Sequence, residues 1–335
     1  MCGTFPPLAD DRFRDMHVRG ALSLEFTAEG FGHPSGTVDA GTVITWIDKA
    51  GYAVAASWAG TYVRASYVGN MQFENPVPVD TRAVVQARVV HTDGPYVHVQ
   101  ARLIMPALQG EGGGPLVCTE CLLVYAAEED GRLVDAPVWV PETEGQRERD
   151  EQANSAKVIR TTIEQGMNSL PFPEEVGPND ELVRLCFIAG QGETTIGSTV
   201  RASAIMRWID EAAAVCAARW SGSENVVAAF AGGVRFLANI EAGNVVTVDA
   251  LLVHTSPRAM HVALRVYAAR RHERGARIVA HSLAVMVVPD DGRAQPVRQW
   301  EPESEWSSSL ESAAVELVKL RSAAGATWSS APRAG

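Results

Sequence analysis

The chain has 335 residues and 46% hydrophobic content, which suits two domains of ordinary size with sizeable cores. Its 29 basic and 40 acidic side chains leave a formal charge of −11. That balance excludes nucleic acid as a general partner, because phosphate binding needs net or clustered positive charge. Five scattered cysteines exclude a disulfide framework, and no apolar run is long enough to span a bilayer.

The opening "MCGTFPPLADDRFRD" lacks the apolar stretch of a secretory signal, so a cytoplasmic location is expected and no membrane partner. A strand follows at "ALSLEF" (21–26), then a loop rich in Gly, Ser and Thr. "WIDKAGYAVAASWAG" (46–60) reads as an almost wholly apolar helix carrying one carboxylate, Asp48. A helix apolar on every face belongs inside a protein. A carboxylate there must be paired, hydrogen-bonded or used.

Three segments then alternate apolar and polar residues at period two, as half-buried antiparallel strands do: "TRAVVQARVVHT", "YVHVQARLIM" and "LVCTECLLVYAA". Cys118 and Cys121 form a C-x-x-C in the last of these. Residues three apart on a strand point to opposite faces, and no second pair completes a zinc site, so both read as reduced thiols and no metal is expected. Residues 141–178 read as a helix followed by a Pro-rich connection.

The layout then starts again. "WIDEAAAVCAARWSG" (208–222) matches 46–60 without a gap at an offset of 162, setting Asp210 under Asp48. "VVHTDGPYVHVQARL" (89–103) pairs with "LVHTSPRAMHVALRV" (252–266) at an offset of 163, aligning His91 with His254 and His98 with His261. "WVPETE" (139–144) pairs with "WEPESE" (300–305), and each leads into a polar helix expected to end at Arg160 or Arg321. The chain is an internal duplication. The expected organisation is α+β: 1–140 and 179–300 each wrap a long apolar helix in a curved antiparallel sheet, 141–178 connects them, and 301–335 forms a helix and flexible tail.

The loop and helix start "HPSGTVDAGTVITWIDKAG" (33–51) resemble those of the acyl-CoA thioesterases built from two tandem hotdog domains. That family's pattern is a loop Asn, a Gly three residues later, a small pair at the helix start and a helical acid. Gly36, Ala40, Gly41 and Asp48 fall on it in register. "FENPVPVDTRAVVQARVV" (73–90) and "FLANIEAGNVVTVDALLV" (236–253) resemble the family's following strand entry. Where the family has the loop Asn, this chain has His33 in the first copy and Thr195 in the second. The second helix start also replaces the glycine with Arg201, Ala202 and Ser203.

The resemblance implies hydrolysis of an acyl-CoA to free acid and CoA, with no cofactor beyond the coenzyme A that forms part of the substrate. It pairs the loop residue of one copy with the helix acid of the other: His33 with Asp210, and Thr195 with Asp48. The first pair is favoured because the helix following His33 begins with Gly41, which leaves room for a thioester. A helix N-terminus offers unpaired N–H groups to an oxyanion. A desolvated Asp can act as general base, since burial raises a carboxyl pKa from about 4 toward neutrality. The resemblance also implies a homo-oligomer, such as a trimer of double hotdogs.

Against these stand plainer expectations. Arg207 is a ready i,i+3 partner for Asp210, and the histidine pairs read as strand-surface residues without an acid at ligand spacing. "ARRHERGAR" (269–277) gathers Arg270, Arg271, Arg274 and Arg277 at a hairpin of an otherwise acidic chain, a candidate for the phosphates of CoA, with Arg258 beside the same strand entry. Two other functions compete: a non-catalytic acyl-CoA-binding double hotdog, and a double-hotdog enoyl-CoA hydratase or dehydratase. The latter's compact Asp-x-Asn-Pro-x-His loop is not found.

Overall fold

A computed structural model of the chain describes residues 20–27, 36–69, 71–110, 114–173, 176–194, 198–231, 233–290 and 293–329. They form two compact units. The first comprises Trp46–Ala65 and Gln72–Asn154 with the chain before Ala40; the second comprises Ala40–Thr45, Ser66–Met71 and the chain from Ser155 onward.

In chain order the first half contributes β1 (Ala21–Thr27), α1 (Ala40–Ala59), β2 (Tyr62–Val68), β3 (Met71–Gln72), β4 (Arg82–Asp93), β5 (Tyr96–Gln109), β6 (Pro115–Glu129) and β7 (Arg132–Leu133). After α2 (Glu144–Ser169) come β8 (Leu182–Ile188), α3 (Ala202–Ser221), β9 (Val227–Ala231), β10 (Val234–Phe236), β11 (Val245–Ser256), β12 (Ala259–Ala269), β13 (Arg277–Val287), β14 (Pro289–Asp290), β15 (Arg293–Ala294) and α4 (Glu305–Ser329). The strand orders are copies of each other: β1-β4-β5-β6-β2 in the first unit, and β8-β11-β12-β13 with β9 and β10 in the second. Within the second unit, Val234 and Arg235 of β10 pair with Val68 and Tyr67 at the end of β2.

Each long helix is buried because small and branched apolar residues recur on its sheet-facing side. Ile47, Ala50 and Val54 on α1 and Ile209, Ala212 and Cys216 on α3 repeat the same spacing and are almost fully buried. Each buried branched side chain contributes roughly 1.5–3 kcal/mol. Both helices end at a left-handed glycine, Gly60 or Gly222, whose N–H donates to the carbonyl of Ala56 or Ala218. The indole N–H of Trp58 donates to Pro137 O and that of Trp220 to Arg298 O, each at 2.8 Å. The duplication therefore survives at the level of single hydrogen bonds.

Two expectations are corrected. The closing helices do not end at Arg160 and Arg321: α2 runs to Ser169 and α4 to Ser329. No proline intervenes before Pro171, and Gly166 is kept by close packing, since a Cβ there would lie 2.6 Å from Leu317 Cδ2. A mid-helix glycine such as Gly325 costs only about 1 kcal/mol, and its neighbours are strong helix formers. The histidine pairs are also not solvated strand residues. A β-bulge before His91, and another before His254, sets each opposite its partner His98 or His261. His98 and His261 are buried. Each pair meets a carboxylate from the closing helix: His91 Nδ1 lies 2.7 Å from Asp150 Oδ1, and His254 Nδ1 3.2 Å from Glu311 Oε1. Sequence spacing hid these acids because tertiary packing, not local order, brings them in.

Candidate active site

Asp48 lies on α1 inside the first unit and is buried. The hydroxyl of Tyr125, from β6, donates to Asp48 Oδ1 at 3.0 Å. Gly51, one turn further along α1, makes this possible, because a Cβ there would come within 2.7 Å of the Tyr125 oxygen. Burial first, and the Asp48 charge second, push the Tyr125 hydroxyl well above its ordinary pKa of 10.0. Tyr52, edge-on to Tyr125 with ring centroids 6.5 Å apart, is raised for the same two reasons. Asp48 is thus held by a tyrosine side chain from the sheet that packs against the helix at Gly51.

Asp210, the matching residue of α3, has different surroundings. The strand registers that set Val124 opposite His98 and Val285 opposite His261 place Met286 where the first copy has Tyr125. Ala213 stands where α1 has Gly51. Asp210 is half-buried and borders a narrow cavity within the second unit. Met206, Ile209, Val234, Ser282 and Ala284 line it, together with Met71 and with Ile44, the fifth residue of α1. Those two belong to the second unit because Ala40–Thr45 and Ser66–Met71 do.

The start of α1 therefore shares a unit with Asp210. Gly41, its second residue, is buried, and the Thr45 hydroxyl donates to Gly41 O at 2.9 Å. Gly36 just upstream has φ 75°, a value that favours glycine. The start of α3 is built otherwise. Glu193 gathers the loop before it: its carboxylate accepts from Arg207 Nη2 at 2.7 Å, Trp208 Nε1 at 3.1 Å and the Gly190 N–H at 3.1 Å. Arg201, the N-cap residue, donates from its guanidinium to Gly192 O and from its backbone to Glu193 O, both at 2.8 Å.

These contacts correct the expected pairing of Arg207 with Asp210. Arg207 gives one terminal nitrogen to Glu193 and the other to Glu211, each at 2.7 Å. An i,i+4 carboxylate and a loop carboxylate win over the i,i+3 neighbour. His33 and Thr195, the two candidate loop residues, lie outside the described residues. Arg270, Arg271, Arg274 and Arg277 are all exposed at the β12–β13 hairpin. Arg271 donates to Gly243 O at 3.0 Å and Arg277 to Asn239 O at 3.1 Å. Arg258 does not belong with them. It sits in the β11–β12 turn, at the other end of β12, and a strand of that length separates the two by roughly 35 Å.

Cys118 and Cys121 are buried free thiols, and burial pushes Cys118 up to about 12. Among the described residues no group of three or more His, Cys, Asp and Glu side chains is arranged to hold a metal ion. Sequence reasoning missed Tyr125, Gly51, Glu193 and Ser282. The two sheet positions were open to the same offset comparison that found the helices: Tyr125 falls on Met286, and Cys121 on Ser282, at an offset of 161.

The thioesterase superfamily model matches residues 35–104 and again 198–274, one segment in each copy. The human protein "cytosolic acyl coenzyme A thioester hydrolase" is 21% identical over 288 residues, 81% of this chain and 75% of that one; its mouse counterpart matches to the same extent. A solved structure described as an oleoyl thioesterase from Lactobacillus plantarum superposes with a TM-score of 0.53 over 84% of this chain and 99% of its own, at 9% identity. That likeness spans both copies and shows the fold.

Proposed function

With two thioesterase-superfamily segments in tandem hotdog copies as the premise, we propose that the protein hydrolyses acyl-CoA thioesters and that Asp210 is its general base. One observation carries the choice of acid: Asp210 borders a cavity it shares with Ile44 near the start of α1, whereas Asp48 is hydrogen-bonded to Tyr125. In this reading the acyl carbonyl lies at the start of α1, where Gly41 allows close approach and the first N–H groups face the oxygen. A water oxygen attacks the carbonyl carbon while its proton passes to Asp210. The resulting oxyanion is held by the helix start, with His33 as a second donor. Collapse breaks the C–S bond, and the CoA thiolate leaves and takes up a proton. Thr195 and Asp48, the second pairing, stay idle.

The reaction uses no group beyond substrate and water. The exposed Arg270, Arg271 and Arg274 form the basic patch of an acidic chain and are the proposed contacts for the CoA phosphates. The curated relatives are cytosolic by name, and among the described residues no helix is long and apolar enough to cross a membrane. We place the protein in the cytoplasm, as a homo-oligomer of double hotdogs.

The test is release of free thiol from short, medium, long and aromatic acyl-CoAs. Turnover on at least one class is expected, and charge reversal of Arg270 and Arg271 is expected to raise KM with little change in kcat. Saturable binding of acyl-CoA without turnover on any of them would instead mark a binding protein.

A further inference from the structure

The cavity beside Asp210 holds a second polar group that the proposed reaction leaves unused. Of the described side chains lining it, only Asp210 and Ser282 are polar. Ser282 lies on β13 opposite Leu264 of β12 and is 1% exposed. A hydroxyl set in an apolar wall costs free energy unless it is hydrogen-bonded, so such groups persist where they serve a neighbour. The other polar group of this wall is the helix carboxylate.

The first copy shows what the alternative looks like. The position of Ser282 is there held by Cys121, a buried thiol and a weak donor. The acid of that copy takes its hydroxyl from Tyr125 instead, where the second copy has Met286. The two copies thus place a strong donor at different rows of the same sheet face. The tyrosine reaches the acid by filling the space beside it. The serine is short, and the cavity remains.

We infer that Ser282 is a positioning residue for Asp210, its hydroxyl holding the carboxylate in the orientation that accepts the proton of the attacking water. The inference rests on Asp210 being the general base.

It is tested by steady-state kinetics of the full chain with an acyl-CoA that the wild type hydrolyses, across pH, for Ser282→Ala and Ser282→Thr. Ser282→Ala is expected to lower kcat about tenfold with KM within about twofold. The acid limb of its kcat profile should move to higher pH, because a hydrogen bond to a carboxylate favours the charged form. Ser282→Thr, which keeps the hydroxyl, should restore both. A merely structural serine would not move the pH limb. A folded Ser282→Ala with wild-type kcat and an unmoved limb overturns the inference and leaves the Asp210 reading intact. A wild type that hydrolyses no thioester removes both. Should Ser282→Ala fail to fold, Ser282→Cys, which carries the residue of the first copy, is judged by the same limb.

Discussion

In the first copy the helix carboxylate ends against a tyrosine hydroxyl, and a glycine beneath it lets the ring in. In the second copy the same helix position borders a cavity, with a serine on the sheet and a methionine where the tyrosine would be. The helix, its left-handed glycine cap and its tryptophan hydrogen bond are the same in both. A duplicated scaffold can therefore keep an acid in place while the sheet residues beside it differ, so that one acid meets a tyrosine hydroxyl and the other borders a cavity. The two copies differ at three positions around the acid: Gly51 against Ala213, Cys121 against Ser282, and Tyr125 against Met286.

The largest effect is expected when each acid is neutralised alone. Asp210→Asn is expected to lower kcat/KM by about 10²–10⁴-fold, the usual range for a general base. Asp48→Asn should leave thiol release within about threefold. The reverse result would transfer the chemistry to the first copy and discard the reading of Tyr125 as an anchor.

Next in size are effects on stability, measured by urea unfolding. Tyr125→Phe removes a hydrogen bond to a charged acceptor and is expected to cost about 1.5–3 kcal/mol. Gly51→Ala drives a methyl against Leu123 and the Tyr125 hydroxyl, a cost of about 1–3 kcal/mol from overpacking, offset by about 1 kcal/mol of helix propensity. Met286→Leu, the control in the second copy, should cost under about 1.5 kcal/mol. If Tyr125→Phe is no worse than Met286→Leu, the two copies are energetically alike at this position.

The smallest effect is a pH dependence. Tyr125, Tyr52, Cys118 and Cys121 are weak acids whose pKa values burial raises in the folded state. Their neutral forms support folding fully below the ordinary thiol value of 9.0 and tyrosine value of 10.0. Above these values the unfolded chain loses protons that the folded chain retains, so stability falls. A Tm that declines from about pH 8.5 upward is expected. The decline should be shallower in Tyr125→Phe, which has no proton to lose; an unchanged slope would remove Tyr125 from the account.

Much of the fold was legible because the chain repeats itself. One repeat places the helix, the strand segments that follow it and the two helix acids at once. What escaped depended on contacts between distant segments. Asp48 and Tyr125 are 77 residues apart, and nothing local to the helix announces a hydroxyl on the sheet. Arg207 had a plausible partner nearby, yet a loop glutamate 14 residues upstream competes for it. The alternation of the strands predicted a solvated face for His98 and His261, but period two only separates faces. It does not say that a later helix covers the polar one.

That cover has a consequence for ancestry. In each copy a histidine pair on adjacent strands meets a carboxylate from the closing helix, Asp150 or Glu311, and these acids stand 161 positions apart. A contact inherited with both its ends implies that the copied gene segment already carried its closing helix. The ancestral module was a complete strand-and-helix unit rather than a bare wrapped helix to which tails were later added. Anyone seeking to recover a single copy should keep the closing helix at least through Asp150 and not cut at the last strand.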